Sequence, residues 1–380
     1  MSATALRAGV RREAIPALSD PWLLGVAVAL TALGLVMVAS SSVSLADRGT
    51  GLPFYYLQRQ LVFACVGAAA GCLATWIPLR TWDRLGLVLL AAAFALLVLV
   101  LIPGIGYEVN SAQRWISLGL FGLQASEPAR LLLLMYLAGY LVRHEASVRA
   151  EFRGFAKPML VIGLASVLLL MQPDFGAATV LLAAALAMIF VGGVLLRHFF
   201  AVGAIVTLAM AVMVWVSPYR LRRLFGFRDP WADPFDSGFQ LTNSLIAIGR
   251  GEWFGVGLGN SVQKLFYLPE AHTDFLFAVY AEEFGLFGIV VLLAAFFLLI
   301  WRALAAGRAS ARSGRPYGAY LAFGIGAWLG VQALINIGVN MGALPTKGLT
   351  LPLMSYGGSS LLVTCVAVGL LLRVAHEAKQ

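Results

Sequence analysis

Long runs of apolar residues alternate with short polar segments along almost the whole chain. A run of about 20 apolar residues is enough to cross a hydrocarbon core about 30 Å thick as a helix. Ten such runs are present and predict an all-α polytopic membrane protein with ten transmembrane helices. The predicted spans are 22–44, 60–78, 85–103, 126–143, 158–172, 176–196, 198–216, 275–301, 316–340 and 357–374. The first run is too long for a signal-peptide core and no convincing cleavage site follows it, so we expect it to remain as a span.

The Lys and Arg residues in the short connections predict the orientation of these spans. Basic residues accumulate in cytoplasmic loops, and alternation of the ten spans puts sixteen of the 27 on one side. These are Arg7, Arg11, Arg12, Arg80, Arg84, Arg143, Arg149, Arg153, Lys157, Arg197, Arg302, Arg308, Arg312, Arg315, Arg373 and Lys379. The sequence therefore predicts cytoplasmic tails at 1–21 and 375–380 around one transmembrane domain, 22–374.

A large extracytoplasmic (periplasmic) loop, 217–274, is predicted between the seventh and eighth helices. It is far longer than an ordinary connection, which indicates a function of its own. Within it Leu241, Leu245 and Ile248 recur at helical spacing and predict a short amphipathic helix at the membrane interface. The glycines at 249–259 predict tight turns or close backbone approach. A dinucleotide-binding loop is excluded because no βαβ unit surrounds them.

Composition agrees with a membrane protein and restricts its partners. The chain is 61% hydrophobic and 12% charged, against roughly 25% charged residues in soluble domains. Its net charge of +9 does not predict nucleic-acid binding, because no basic helix face or soluble module carries it. Six basic residues fall in the extracytoplasmic loop, against the topological trend, and predict an anionic ligand there: Arg220, Arg222, Arg223, Arg228, Arg250 and Lys264.

Asp274 is the strongest catalytic candidate. It ends the polar run 268–274 at the mouth of the eighth span, where a partly desolvated carboxylate is costly and usually functional. It would act there as a base towards a hydroxyl group, whereas the alternative is an N-cap for the following helix. His272 either assists it or serves as a hydrogen-bonding group. Glu282 and Glu283 lie about 100° apart on a helix, so only one of them can easily face an interior cavity.

Other polar residues on the same side form a second group of candidates. Glu127 and Arg130 lie three apart in the fourth span, as either an internal ion pair or part of a site. Residues 343–360 contain two prolines and three glycines, which predict a broken helix whose backbone faces a cavity. Lys347 in this segment is either a phosphate contact or a side chain reaching the interface. Asp174 is expected either to cap the sixth helix or to join the site.

The ordered motifs of the chain resemble the SEDS family, the shape, elongation, division and sporulation proteins. The matching segments are 34–38, Arg114–Trp115, Ser126–Glu127, 172–176, 229–234, 240–248, 257–264, 268–274, Glu282–Glu283 and 355–359. Segments 260–264 and 344–352 resemble the cell-division branch rather than the elongation branch. The likeness covers nearly the whole chain.

This resemblance implies a peptidoglycan glycosyltransferase that polymerises lipid II at the division septum, in the bacterial cytoplasmic (inner) membrane. The implied partners are a class B penicillin-binding protein and other division proteins. Asp274 matches the family's essential aspartate; it is expected to act as the base or to hold a divalent cation, Mg²⁺ or Mn²⁺, and no organic cofactor is expected. The candidate substrate-binding residues are Arg114, Glu127, Arg130, Arg250, Lys264, His272, Glu283, Lys347 and Ser355.

Two other functions remain open at the level of sequence. A lipid II flippase would need polar groups that continue towards the cytoplasmic side, whereas the charged candidates cluster outside. A non-catalytic scaffold that recruits the penicillin-binding protein would tolerate Asp274→Asn. The nearly uncharged hairpin 176–216 is a candidate surface for that partner.

Overall fold

The computed structural model describes residues 18–109, 112–117, 119, 121–216, 226–236, 238–346 and 348–380. Lys347, Arg220, Arg222 and Arg223 therefore lie outside the described residues. A helix occupies each of the ten predicted apolar runs. Their bounds are α1 Pro21–Thr50, α2 Tyr55–Trp76, α4 Gly86–Leu99, α5 Ser126–Arg143, α7 Phe152–Met171, α8 Phe175–Val191, α9 Leu196–Trp215, α11 Leu276–Arg312, α12 Pro316–Asn340 and α13 Gly358–Glu377. Short helices α3 Leu79–Arg84, α6 Glu145–Ala150 and α10 Phe239–Arg250 lie between them.

The helices establish a polytopic membrane protein. Within the described residues, seven helices have the length and hydropathy of a membrane span, and α4 and α8 are shorter apolar helices. Helix α5 begins and ends at the predicted residues although it carries Glu127, Arg130 and Arg143. Helix α11 continues eleven residues beyond its predicted end, because the Ala- and Arg-rich stretch after Trp301 still favours helix after the apolar signal stops.

Small residues allow helices of the bundle to pack closely against one another. Backbone atoms of Gly71 in α2 and Gly369 in α13 meet so closely that a side chain at position 369 would overlap the Gly71 carbonyl. Such contacts between small residues are typical of membrane helix pairs. Trp328 of α12 is completely buried at the centre of the bundle. In contrast, none of the described residues in the apolar part of α9 is fully buried.

The prediction of an all-α chain is wrong for the segment between α4 and α5. This segment forms an antiparallel sheet of three strands in the order β1 (Gly106–Val109), β2 (Ala112–Ser117) and β3 (Gly122–Gln124). Tyr, Val, Trp and Ile side chains favour extended structure here. The sheet is fastened to the bundle because Ser359 of α13 accepts a hydrogen bond from the Gln124 N–H (3.0 Å).

The long loop before α11 contains the predicted amphipathic helix as α10. Its inner face includes Leu241, Ser244 and Ala247, and the Ser244 hydroxyl donates to the carbonyl of Asn340 in α12 (2.8 Å). After α10 the chain folds against a break in α11 at Gly285, where φ is 64° and ψ is −164°. The N–H groups of Val256 and Gly257 donate to the carbonyls of residues 282 and 283 (3.0 and 3.1 Å). The close backbone approach predicted for the glycines at 249–259 is confirmed.

Candidate active site

Asp274 lies where the polar loop enters α11 and is held there through its backbone. Its carbonyl accepts hydrogen bonds from the side-chain amides of Asn336 (2.9 Å) and Asn340 (3.0 Å), both on α12. Its carboxylate lies against Gly348, since a Cβ at that glycine would be 3.0 Å from Oδ2. The N-cap of α11 is Phe275 rather than Asp274. The contact with Gly348 places the carboxylate beside the segment that follows α12.

The segment between α12 and α13, residues 341–357, is the broken stretch that the prolines and glycines predicted. Buried side-chain amides bind backbone carbonyls of this non-helical segment. The Leu349 carbonyl accepts a hydrogen bond from Asn336 (2.5 Å), and the Thr350 carbonyl accepts one from Gln332 (2.9 Å). Irregular backbone at membrane depth requires such partners. The Ser355 hydroxyl accepts the Leu351 N–H (2.9 Å) and is 4% exposed. This contact gives Ser355 a structural task in the turn.

His272 is buried between two aromatic rings close to Asp274. Its ring centroid lies 4.8 Å from that of Tyr56 and 5.4 Å from that of Tyr356, and its carbonyl accepts the Tyr356 N–H (2.9 Å). Burial lowers the pKa of His272 below its ordinary value, and Glu270 opposes this effect. The ring is therefore neutral at neutral pH and joins the loop to α2 and to the broken segment.

Glu283 and Lys264 form a buried ion pair beside Ser40 of α1. The Lys264 ammonium lies 2.7 Å from Glu283 Oε1, and the Ser40 hydroxyl donates to the same oxygen (2.6 Å). The side chains are 7% and 0% exposed. This geometry ties the loop to α1 and α11, and it makes each of the two predicted substrate contacts the partner of the other.

Glu282 is also buried, so both adjacent glutamates are covered, although only one of them was expected to face the interior easily. Its carboxylate accepts bonds from Arg250 (3.0 Å), the Ser261 hydroxyl (2.5 Å) and the Val262 N–H (3.1 Å). The loop after α10 wraps over a second side of α11, which explains why both neighbours are covered. Arg250 retains 44% exposure of its side chain and is thus open to an anionic ligand.

Glu127 and Arg130 form the expected pair, which extends into a larger buried network. Arg130 lies 3.4 Å from Glu127 and donates to Gln332 of α12 (2.8 Å), which also accepts from the indole of Trp328 (2.7 Å). Gln332 in turn binds Thr350 in the broken segment. The network connects the start of α5 with the segment beside Asp274.

Arg114 lies on β2 and binds the backbone of the connection between α7 and α8. Its guanidinium donates to the carbonyls of Gln172 (3.0 Å) and Pro173 (2.5 Å). The next residue, Asp174, caps α8 by accepting the Ala177 N–H (3.0 Å), as one of its two interpretations predicted. The Ser126 hydroxyl also donates to Asp174 (3.1 Å). Arg114 therefore fixes the sheet next to the start of α5.

The structure adds three site residues that our sequence interpretation missed: Gln332, Asn336 and Asn340. They recur at intervals of four on α12 and are almost completely buried. Amides repeated on one face of an apolar span were the available signal, because polar groups at membrane depth usually have a task. Among the described residues no group of three or more His, Cys, Asp or Glu side chains could hold a metal. Mg²⁺ is commonly held by one or two carboxylates together with substrate phosphates, so Asp274 fits a cation that arrives with a phosphorylated substrate.

Comparisons with known proteins agree with these features. The family model FTSW_RODA_SPOVE, described as cell cycle protein, matches residues 21–380. "Probable peptidoglycan glycosyltransferase FtsW" of Thioalkalivibrio sulfidiphilus is 58% identical over 92% of this chain and 88% of its own length. The protein of the same name from Nitrosococcus halophilus is 57% identical over 95% of this chain and 93% of its own.

Solved structures show the same fold. A chain from the structure "Structural coordination of polymerization and crosslinking by a peptidoglycan synthase complex" has a TM-score of 0.76 and 32% identity over 94% of this chain and 98% of that chain. The crystal structure of the rod shape determining protein RodA from Thermus thermophilus has a TM-score of 0.70 and 31% identity, over 95% of this chain and 98% of that one. With the family model matching almost from end to end, the chain belongs to the FtsW/RodA/SpoVE family of cell cycle proteins, which is the SEDS family that its motifs resemble.

Proposed function

We propose that this protein is a peptidoglycan glycosyltransferase that polymerises lipid II during septal cell-wall synthesis. The observation that carries the proposal is the placement of Asp274, a carboxylate fixed by its own backbone beside a broken membrane segment. Relatives 57–58% identical over most of their length bear the name of this activity. Their name and the segments 260–264 and 344–352 favour the division branch.

In the proposed reaction Asp274 acts as the base. It takes the proton from the 4-hydroxyl of the acceptor N-acetylglucosamine, whose oxygen bonds to the anomeric carbon of the donor N-acetylmuramic acid with inversion. The bond from that carbon to the lipid pyrophosphate breaks at the same time. The pyrophosphate leaves as an anion, so it needs positive charge rather than a proton, and a two-carboxylate glycosidase arrangement is unnecessary.

The cations near the site divide into two groups. Arg130 and Lys264 each hold a buried carboxylate, which favours a task in shaping the site. Arg250 also bonds a buried carboxylate, that of Glu282, but its side chain is partly exposed, so it is the better candidate for a direct pyrophosphate contact. Lys347, outside the described residues, and Arg114 remain candidates for the same task. In the alternative role of Asp274, its carboxylate would hold a Mg²⁺ or Mn²⁺ that supplies further positive charge to the leaving group.

The proposal includes a topology and a partner. We place ten spans in the cytoplasmic membrane at the division septum, with both termini inside and residues 217–274 outside. A class B penicillin-binding protein is the proposed partner, since one structural relative comes from a peptidoglycan synthase complex. Helix α9 exposes its apolar surface, which supports the hairpin 176–216 as a docking surface. Other division proteins and lipid II complete the proposed assembly.

The test is polymerisation of labelled lipid II by the purified protein together with its class B partner, with and without EDTA. Glycan strands that depend on this protein support the proposal, and their loss in EDTA with recovery in Mg²⁺ or Mn²⁺ supports the cation. A parallel assay follows lipid II movement across liposomes that contain the protein. Movement without strands would favour a flippase, and neither activity from a folded complex would favour a scaffold.

A further inference from the structure

Three amides form a ladder on one face of α12, directed at the site. Gln332, Asn336 and Asn340 are spaced by four residues, which places them on the same side of a helix. They are 1%, 2% and 0% exposed. Each side-chain nitrogen donates to a backbone carbonyl outside α12: Gln332 to Thr350, and the two asparagines to Asp274.

Asn336 joins the two chain segments that meet at the Asp274 carboxylate. Its Nδ2 donates to the carbonyl of Asp274 (2.9 Å) and to that of Leu349 (2.5 Å). Leu349 follows Gly348, the residue against which the carboxylate lies. A single side-chain nitrogen therefore fixes both sides of this contact.

Asn340 reinforces the same arrangement from the next turn of the helix. Its Nδ2 donates to the carbonyl of Asp274 (3.0 Å) and to that of Asn336 (2.9 Å), and its Oδ1 accepts the N–H of Ala278 in α11 (3.2 Å). If either side-chain amide were rotated by 180°, its oxygen would face backbone carbonyl oxygens, which cannot donate a hydrogen bond. The bonding pattern therefore determines the orientation of both amides. The end of the polar loop, the first turn of α11 and the broken segment are thus held to one helix face.

We propose that Asn336 and Asn340 are positioning residues that direct the Asp274 carboxylate by holding its backbone carbonyl. The direction of a side chain from Cα follows from the orientation of the two peptide groups around it, and one of these is held by two buried donors. Loss of the donors would leave the Asp274 carboxyl group chemically intact and displace it. This inference rests on the proposed glycosyltransferase function.

The kinetic test uses Asn336→Leu and Asn336→Asp, two variants of similar size without an amide donor, and Asn340→Ala. We expect kcat for polymerisation to fall about 100-fold in the Asn336 variants, as displacement of a catalytic group by about 1 Å does. KM for lipid II should stay within about threefold, because substrate contacts are retained. Ser166→Ala is the matched control: its buried hydroxyl bonds only the carbonyl of Ile162 in its own helix, and we expect its activity to be unchanged.

A second measurement reports position without catalysis. Cys65, Cys72 and Cys365 are replaced by alanine, and Asp274→Cys is introduced as the site of maleimide labelling in the folded protein. The labelling rate is compared between this protein and the same protein with Asn336→Leu added. We expect severalfold faster labelling when Asn336 is replaced, because the backbone at 274 is released. The Ser166→Ala background should label at the same rate as its parent.

The outcomes separate this inference from the proposed function. If the wild-type complex makes no strands, the glycosyltransferase proposal fails, and the labelling rate still tests the positioning. If the wild type makes strands and Asn336→Leu is as active and labels at the same rate, the positioning proposal is wrong. A parallel rise in KM and loss of thermal stability, with unchanged labelling, would also contradict it.

Discussion

At the scale of single residues, Lys264 and Glu283 illustrate how a buried charge restricts what a side chain can do. Both were expected to contact the substrate, and both are almost completely buried against each other. An ion pair in such surroundings is strongly destabilised when one partner is removed, because the other remains as an unpaired buried charge. Shaping of the loop is therefore the task that the geometry favours for them.

We predict that Lys264→Met or Glu283→Leu alone lowers the free energy of unfolding by about 3–5 kcal/mol. The double variant should recover most of this loss, because no charge is left without its partner. Thermal unfolding in detergent measures both effects, and polymerisation by the double variant measures function. Strong activity in the stable double variant would remove both residues from substrate binding, whereas a stable and inactive double variant would favour a direct contact.

His272 makes a pH-dependent contribution that follows from its burial. Its pKa is lower in the folded protein than in the unfolded chain, so the unfolded chain binds the proton more tightly. Stability is therefore retained above the ordinary histidine pKa of about 6.5 and decreases as the pH falls below it. We predict a smaller loss of thermal stability between pH 7.5 and 5.5 in His272→Phe, which keeps an aromatic ring between Tyr56 and Tyr356. An equal loss in both proteins would contradict this assignment.

At the scale of elements, the break in α11 requires glycine at position 285 and at position 255 of the loop that faces it. Gly285 has a positive φ (64°), and a Cβ there would overlap backbone atoms of Gly255 and Phe254. The loop therefore lies directly on the helix at this point, and the N–H groups of residues 286 and 287 bond the carbonyls of Glu252 and Trp253 (2.8 and 3.0 Å).

We predict that Gly285→Ala lowers the free energy of unfolding by at least about 1–3 kcal/mol, the usual cost of such backbone strain. Gly163→Ala in α7 is the control, because it is helical and a Cβ there would meet nothing within 4 Å. This control should be neutral or stabilising by up to about 1 kcal/mol. Equal stability of the two variants would show that the close approach at Gly285 does not constrain the fold.

The helices could be predicted from the sequence more completely than the contacts between them. Apolar length located the helices, and for α5 and α12 it gave both end residues. The β-sheet was missed because its strands are only three to six residues long, and two of them begin with a glycine. The partners of Glu282 and Glu283, and the contact of Arg130 with Gln332, could not be predicted, since they come from segments distant in sequence. Asp274 could be singled out as a candidate from the sequence because a charge at the edge of an apolar span is itself a signal.

At the scale of the whole molecule, the membrane topology determines where the proposed chemistry takes place. We predict that a membrane-impermeant maleimide added to intact cells labels Asn260→Cys in the loop and does not label Ser313→Cys after α11, in a background without native cysteines. Permeabilised cells should label both. Labelling of Ser313→Cys in intact cells would contradict the orientation.

The central claim is that Asp274 is the catalytic group of a lipid II polymerase. Its most direct test compares the wild-type protein with Asp274→Asn, each purified with the class B partner and given labelled lipid II. The amide keeps the shape of the side chain and cannot accept the proton, so we predict glycan strands from the wild type and none from the variant, with equal thermal stability. Strands of similar amount from both proteins would contradict the account.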